Sequence, residues 1–267
     1  MLKYYSVDST QIACWVNQSD FDTQRQSLVF IHGSGGNHSI WSHQYGRLNK
    51  QYNIIAVNLP GHGHSGGNGE NNIKIYCEWL NKLLTVLELR KVTLVGHSLG
   101  SAIALQFAIH YSEHISGIVC IGAGMKMPVN SMFLDFLQTN PPQLPSEITE
   151  MICKFSLAKE NRSKFSAPLQ KSIAMSRVDV LYGDLKACNE LDLGRDAHKI
   201  KVPALIICGS EDKMTPPDLS RALAAAINRS TLEIIEGAGH MVMIEKPAAF
   251  NNALERFAVS ISAAVSR

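Results

Sequence analysis

Residues 92–105 read VTLVGHSLGSAIAL, and this stretch decides the fold. The apolar, partly β-branched residues Val92–Val95 come first, followed by Gly96-His97-Ser98-Leu99-Gly100 and then by small apolar residues typical of a buried helix. The pentapeptide matches G-x-S-x-G, in which the glycines leave room for a tight, strained turn between a strand and a helix. The stretch therefore predicts a strand, a turn and a helix, with the Ser98 hydroxyl exposed at the turn as a candidate nucleophile.

Seven further short apolar runs, each ending in turn residues, combine with this one to predict eight strands. The eight runs are Lys3–Val7, Gln11–Asn17, Ser27–His32, Asn53–Asn58, Lys91–Gly96, Gly117–Gly122, Ala204–Gly209 and Thr231–Glu236. Several are apolar throughout, as expected of strands covered on both faces. Helical patterns alternate with them, over Glu70–Glu88, Leu99–Tyr111, Pro217–Ile227 and Pro247–Val265. This alternation favours an α/β fold with a mostly parallel sheet flanked by helices.

One long stretch interrupts the alternation. Residues 125–201 contain no convincing strand, are rich in Met, Leu and Phe, and carry five prolines between short helical pieces. Because a structureless loop of this length is rare in a compact domain, we expect a helical insertion at 125–201 between two parts of a core, 1–124 and 202–267. Its apolar side chains, such as Phe133 and Phe136, belong either to ordinary packing or to a substrate pocket.

Composition and charge exclude several classes of protein. Hydrophobic residues make up 45% of the 267 residues, and 25 Lys+Arg against 23 Asp+Glu give a net charge of +2. This balance disfavours binding to nucleic acids or anionic membranes. The N-terminus becomes polar before a signal-peptide apolar region could form. The six cysteines are scattered without a C-x-x-C pair, which indicates free thiols in a reducing compartment, and we expect a cytoplasmic protein.

A serine hydroxyl is a weak nucleophile and needs a base, which in turn needs an orienting group. Of ten histidines, His240 is our candidate base, because it lies in a glycine-rich loop just after the last strand. His32, at a strand end, is more typical of a structural role, and His97 should point away from the serine. The other histidines lie in ordinary loop or helix positions.

The candidate orienting acid is Asp212, on the loop that follows the strand Ala204–Gly209. A carboxylate at the carboxyl end of one strand can reach a histidine on the neighbouring loop. Glu211, Asp184 and Asp192 remain open as alternatives, and Asp212 could instead cap the helix after Pro216-Pro217. The chain order serine, aspartate, histidine is the one typical of G-x-S-x-G hydrolases.

Two other motifs carry less weight. Gly61-His62-Gly63-His64-Ser65-Gly66 matches G-x-G-x-x-G, but Gly67-Asn68-Gly69 follows it instead of the helix start that a bound pyrophosphate needs. The histidines show no H-E-x-x-H spacing. We therefore expect neither a metal nor a cofactor.

Together these motifs resemble the α/β-hydrolase superfamily, in detail its small cap-bearing esterases and lactonases. The resemblance runs from His32-Gly33 through the LPGHGHS stretch at 59–65 and Gly96–Gly100 to Asp212 and His240. It implies that Ser98 is the nucleophile, His240 the base and Asp212 the acid. It further implies that the backbone amides of Ser34 and Leu99 form the oxyanion hole and that residues 125–201 are a cap. Asn58 departs from the relatives, which often have Asp before Leu-Pro-Gly; we expect this to alter the bracing of that loop but not catalysis.

The function implied by this resemblance is that of a serine hydrolase. It would cleave a carboxylic ester or a related acyl bond of a small to medium apolar molecule through an acyl-enzyme. A serine nucleophile argues against dehalogenase or epoxide-hydrolase chemistry, where relatives use an aspartate. A C–C bond hydrolase, an acyltransferase and a ligand-binding receptor remain open, as do the physiological substrate and the oligomeric state.

Overall fold

The computed structural model describes residues 1–18 and 20–265. Its strands are β1 Leu2–Val7, β2 Thr10–Val16, β3 Ser27–Ile31, β4 Asn53–Val57, β5 Val92–His97, β6 Ile115–Ile121, β7 Ala204–Gly209 and β8 Ser230–Ile235. They form one sheet in the order β1-β2-β4-β3-β5-β6-β7-β8. β2 pairs antiparallel with β1 and β4, and the other pairs are parallel. The eight predicted strands and their mostly parallel arrangement are confirmed.

The α-helices of the described residues are α1 Ser42–Leu48, α2 Ile73–Val86, α3 Leu99–His110, α4 Ser131–Gln138, α5 Ser146–Ser156, α6 Arg162–Ala174, α7 Val178–Asn189, α8 Pro217–Ala226, α9 Val242–Glu245 and α10 Pro247–Val265. The four helices predicted in the core are present, and three of them are shorter than predicted by one to five residues. α2 starts three residues after Glu70, where the Asn72 side chain accepts a hydrogen bond from the Lys74 amide and so caps the helix. The short helices α1 and α9 were not predicted, because one or two turns show too little periodicity.

The sheet is covered on both faces, as its apolar strands predicted. In β3, Val29 and Ile31 belong to an apolar cluster that contains residues of α2 and α3. The alternate residues Leu28 and Phe30 belong to a second cluster, with residues of α1 and α10. Because successive side chains of a strand point to opposite faces, every residue of β3 is buried.

Four helices, α4–α7, follow β6 and precede β7, as expected for the insertion. All of residues 125–201 are described, and none of them forms a strand. Part of this segment has an apolar cluster of its own, built around Leu137, Leu144, Val178 and Leu181. The cluster favours a separate unit, although the division of the chain into a core and a cap stays a prediction. We refer to residues 125–201 as the insertion.

The topology brings three loops to one edge of the sheet. Ser98 follows β5, Asp212 follows β7 and His240 follows β8, and the carboxyl ends of parallel strands meet at the same edge. Among the residues that the structure describes, no helix is long and apolar enough to cross a membrane.

Candidate active site

Ser98 lies on a strained turn between β5 and α3. Its backbone has φ 52° and ψ −113°, a combination that costs energy for any residue other than glycine. The flanking glycines are required by space: a Cβ on Gly96 would lie 2.1 Å from the Gly100 carbonyl oxygen, and one on Gly100 would lie 2.2 Å from that of Ile31. The Ser98 amide donates to the Ile121 carbonyl at 2.8 Å, which ties the turn to β6.

His240 and Asp212 form a buried hydrogen-bonded pair. The Nδ1 atom of His240 lies 2.8 Å from Oδ2 of Asp212. The same Oδ2 accepts the Thr215 hydroxyl at 2.8 Å, and Oδ1 accepts the amides of Met214 and Thr215, both at 2.9 Å. All the acceptor positions of the carboxylate are thus in use. Since a carboxylate can only accept, Nδ1 carries the hydrogen, and Nε2 of a neutral His240 is left with its lone pair free.

The surroundings of Asp212 keep it ionised. Burial opposes its charge, but the facing His240 and the hydrogen bonds from Thr215 hold the pKa of this carboxyl below its ordinary value. The result is a carboxylate that can orient the imidazole and stabilise its charge when it takes up a proton.

The other carboxylates considered for this role lie elsewhere. Glu211 accepts the Lys159 amide at 3.4 Å. Asp192 is exposed and pairs with Lys126 at 2.9 Å. Asp184 is buried, but its histidine partner is His62, at 2.8 Å. Of the four, only Asp212 has a hydrogen bond to His240 within the described part of the chain.

His97 contacts the backbone of the His240 loop. Its Nε2 atom lies 3.1 Å from the His240 carbonyl oxygen, so this nitrogen is the donor, and the two rings are 4.6 Å apart. Burial, with the nearby His240, lowers the pKa of His97 to about 3. His97 therefore stays neutral at physiological pH and supports the position of His240.

The loop after β3 runs alongside the serine. A Cβ on Gly33 would come within 3.1 Å of the Ser98 Cβ, and the Gly36 amide closes a turn onto the Gly33 carbonyl at 3.0 Å. His32 holds the start of this loop, since its Nδ1 donates to Gly33 at 2.8 Å while its Nε2 accepts the Leu59 amide at 3.1 Å. We refer to Gly33–Gly36 as the 33–36 loop.

Two backbone amides beside the serine have no acceptor among the residues that the structure describes. Across residues 1–18 and 20–265, neither the Ser34 nor the Leu99 amide donates a hydrogen bond to another residue. Leu99 is the first residue of α3, where amides have no partner inside the helix and the helix dipole favours a negative charge. Two such donors can stabilise an oxyanion formed by attack of the serine.

A cavity of about 580 Å³ borders both Ser98 and His240. Most of its wall is apolar and comes from the insertion, including Met127, Met132, Phe133, Phe136, Ile152 and Phe155. Lys213 is the charged side chain of the lining. The size and the apolar wall are typical of a pocket for a small organic molecule.

Several residues that support the site were not identified from the sequence. The Glu245 carboxylate accepts the amides of Gly239 and Ala158 and the side-chain amide of Asn161, each at 2.9 Å. The His240 amide donates to the Ser156 carbonyl at 2.8 Å. Glu245 thus ties the His240 loop to the insertion. An isolated acid in the apolar run MVMIE was the one available signal of a buried carboxylate.

Asn58 braces the neighbouring loop through its side chain. Its Oδ1 atom accepts the His38 amide at 2.7 Å and lies 3.0 Å from the His38 ring nitrogen Nδ1.

Among the described residues, no three His, Cys, Asp or Glu side chains are close enough together to hold a metal ion.

Comparison with known proteins identifies the family. The model of the alpha/beta hydrolase family matches residues 28–253, which span β3 to α10 and include the serine, the aspartate and the histidine. The chain belongs to the alpha/beta hydrolase family.

Similar proteins have several activities in their names. The 2-hydroxy-6-oxononadienedioate/2-hydroxy-6-oxononatrienedioate hydrolase of Paraburkholderia phymatum is 26% identical, over 96% of this chain and 94% of its own. The pimeloyl-[acyl-carrier protein] methyl ester esterase of Vibrio atlanticus is 26% identical, over 88% and 95%. The solved structure of an enol-lactonase from Burkholderia xenovorans superposes with a TM-score of 0.85 at 21% identity, over 96% and 99% of the two chains. The last of these supports the fold alone.

Proposed function

We propose that the protein is a serine hydrolase that cleaves a carboxylic ester, or a related acyl bond, of a small to medium apolar molecule. The observation that carries this proposal is a serine on a strained turn that shares one apolar cavity with a histidine bonded to a buried aspartate. The name of the Vibrio relative, a methyl ester esterase, supports the choice of an ester.

In the proposed reaction, Nε2 of His240 takes the Ser98 proton as the serine oxygen attacks the substrate carbonyl. The oxyanion that forms receives hydrogen bonds from the Ser34 and Leu99 amides. Loss of one such donor typically lowers kcat about 100- to 1,000-fold. His240 then protonates the leaving alcohol, and a water activated by the same imidazole releases the acid from Ser98.

The insertion would act as the cap that selects the substrate. Its apolar wall favours an acyl chain or another uncharged group over a highly charged molecule. The six cysteines are unpaired and buried, which supports our proposal of a reducing, cytoplasmic location. The catalytic step needs no cofactor.

A second candidate is C–C bond hydrolysis by the same three residues, which the name of the Paraburkholderia relative supports. The two reactions differ in the bond that breaks after the serine attacks. The test compares kcat/KM for p-nitrophenyl esters of increasing chain length with kcat/KM for 2-hydroxy-6-oxononadienedioate, the compound in the name of that relative. The ratio of these values separates ester hydrolysis from C–C bond hydrolysis.

The test of the nucleophile is covalent labelling. A fluorophosphonate should label one serine, Ser98, as located by peptide mass spectrometry, and Ser98→Ala should abolish both labelling and ester hydrolysis. The matched control is Ser112→Ala, at an exposed serine, which should behave as wild type. Labelling or hydrolysis that persists in Ser98→Ala would refute the proposal.

A further inference from the structure

A second buried carboxylate joins the insertion to the 33–36 loop. Asp184, on α7, is 0% exposed. Its Oδ2 accepts the Gly35 amide at 3.1 Å and His62 Nε2 at 2.8 Å, and its Oδ1 accepts the Tyr76 hydroxyl at 2.6 Å. The donors come from three separate parts of the core, so the carboxylate fixes α7 to all of them.

The surroundings of the His62 ring favour its cationic form. Its Nδ1 lies 3.0 Å from the Pro60 carbonyl oxygen and its Nε2 lies 2.8 Å from the Asp184 carboxylate. Both neighbours can accept a hydrogen bond, which favours the form of the ring in which both nitrogens carry a hydrogen. In the buried His62–Asp184 pair, moving either partner away leaves the other without its hydrogen bond, so the pair resists displacement.

The insertion holds both polar groups of Gly35. The Ser176 hydroxyl donates to the Gly35 carbonyl at 2.6 Å, while Asp184 accepts from its amide. Gly35 has φ +63°, and a Cβ there would lie 3.0 Å from Ser176 Oγ and 3.3 Å from a methyl of Leu181. The conformation of the 33–36 loop is therefore determined by the insertion as well as by β3.

We infer that Asp184, assisted by Ser176, is a positioning residue for the hydrolytic centre: by fixing Gly35 it aims the amide of the preceding residue, Ser34, at the developing oxyanion. This inference rests on the proposed function. The insertion thus contributes to the transition state as well as to the substrate pocket. Asp184 itself touches neither the substrate nor Ser98.

The test compares four variants by kcat, KM and the rate of Ser98 labelling with a fluorophosphonate. Asp184→Ala removes the acceptor of the Gly35 amide, and kcat and the labelling rate should both fall at least tenfold, toward the 100-fold typical of one lost oxyanion donor. KM should stay within about threefold, because an oxyanion contact acts in the transition state.

The remaining variants separate positioning from stability. Asp184→Asn can turn its amide oxygen to Gly35 and its NH₂ to the Tyr76 hydroxyl, so it should recover most of the lost kcat, although loss of the ion pair with His62 should lower its Tm. Ser176→Ala, at a half-buried site, should lower kcat a few-fold. Leu84→Ala is the matched control: it weakens the α2 core and lowers Tm, yet it should leave kcat and the labelling rate unchanged.

Wild-type kcat in folded Asp184→Ala overturns the inference. If that variant does not fold, wild-type kcat in Ser176→Ala overturns it instead. A loss of kcat in Leu84→Ala equal to that in the Asp184 variants also overturns it, since the effect would then follow stability. Failure of the proposed function is distinguishable, because it appears as labelling or turnover that survives Ser98→Ala in an otherwise wild-type chain.

Discussion

Replacement of Asp212 by asparagine tests the candidate triad most sharply, because the structure dictates how the new amide must lie. Two backbone amides, those of Met214 and Thr215, point at Oδ1. Neither can become an acceptor, so the amide oxygen takes that side and the NH₂ group takes the place of Oδ2, beside His240 Nδ1. The NH₂ group then donates to Nδ1 and moves the imidazole hydrogen to Nε2, where a lone pair is needed.

The magnitude follows from the cost of turning the amide over. Each backbone donor left unpaired costs about 1–3 kcal/mol, so the productive tautomer lies about 2–6 kcal/mol higher. At 1.36 kcal/mol for each factor of ten, kcat should fall between roughly 30-fold and roughly 26,000-fold. Loss of the charge that stabilises the imidazolium adds to this. KM should change little, because Asp212 does not line the cavity.

The assay is steady-state hydrolysis of a p-nitrophenyl ester, with circular dichroism as a check on folding and ¹⁵N NMR as a check on the His240 tautomer. The controls are Glu211→Gln and Asp192→Asn, whose side chains have other partners and which should stay within a few-fold of wild type. A folded Asp212→Asn enzyme with kcat within tenfold of wild type would refute the reasoning. The role would then pass to whichever control had lost its rate.

Two further predictions concern the cavity and the buried ion pair. Phe136→Trp should narrow the cavity and lower kcat/KM for the octanoate ester relative to the butyrate ester by about tenfold, since one methylene in a pocket is worth about 1–3 kcal/mol. A large fall in Tm with an unchanged ratio of the two kcat/KM values would make Phe136 a packing residue. Burial lowers the pKa of His62, whereas Asp184 and the Pro60 carbonyl raise it. The two acceptors outweigh burial, so the pKa is raised overall, even though the positive charge of Arg177 opposes this and the His32 ring lies 4.8 Å away. The contribution of protonated His62 to the free energy of unfolding is therefore complete below about pH 6.5, the pKa of an unfolded histidine. It is lost as the pH rises through the higher pKa of His62 in the folded protein. Urea unfolding should show His62→Gln to be more destabilising at pH 6 than at pH 9, and an equal loss at both would contradict this.

The sheet was predictable because each strand is a short apolar run with its own turn residues. For β3 and β7 every residue is buried, so the pattern in the sequence has no competing polar face. The candidate triad was predictable for a related reason. G-x-S-x-G, a glycine-rich loop and a post-strand acid each mark a loop at the carboxyl edge of the sheet, and the topology alone brings them together.

The supporting contacts were not predictable, because they join residues far apart in the chain. Asp184 binds the amide of Gly35 across 149 positions, and Glu245 binds that of Ala158 across 87. No local pattern specifies such a pair, and Asp184 could only be considered as an alternative to Asp212. The hydrogen bond from Thr215 to Asp212 was also not predictable, since a threonine before two prolines is an ordinary helix start.

The hydrogen bonds from the insertion to the 33–36 loop and to the His240 loop bear on the construction of chimeras. Exchanging residues 125–201 for the corresponding segment of another hydrolase would replace the carboxylate that accepts the Gly35 amide and, in the same step, the backbone segment whose Ser156 carbonyl accepts the His240 amide. A graft that crosses over inside the insertion keeps both contacts. Exchanging residues 128–152 alone replaces α4 and most of α5, with much of the apolar wall, and retains Ser156, Ser176 and Asp184.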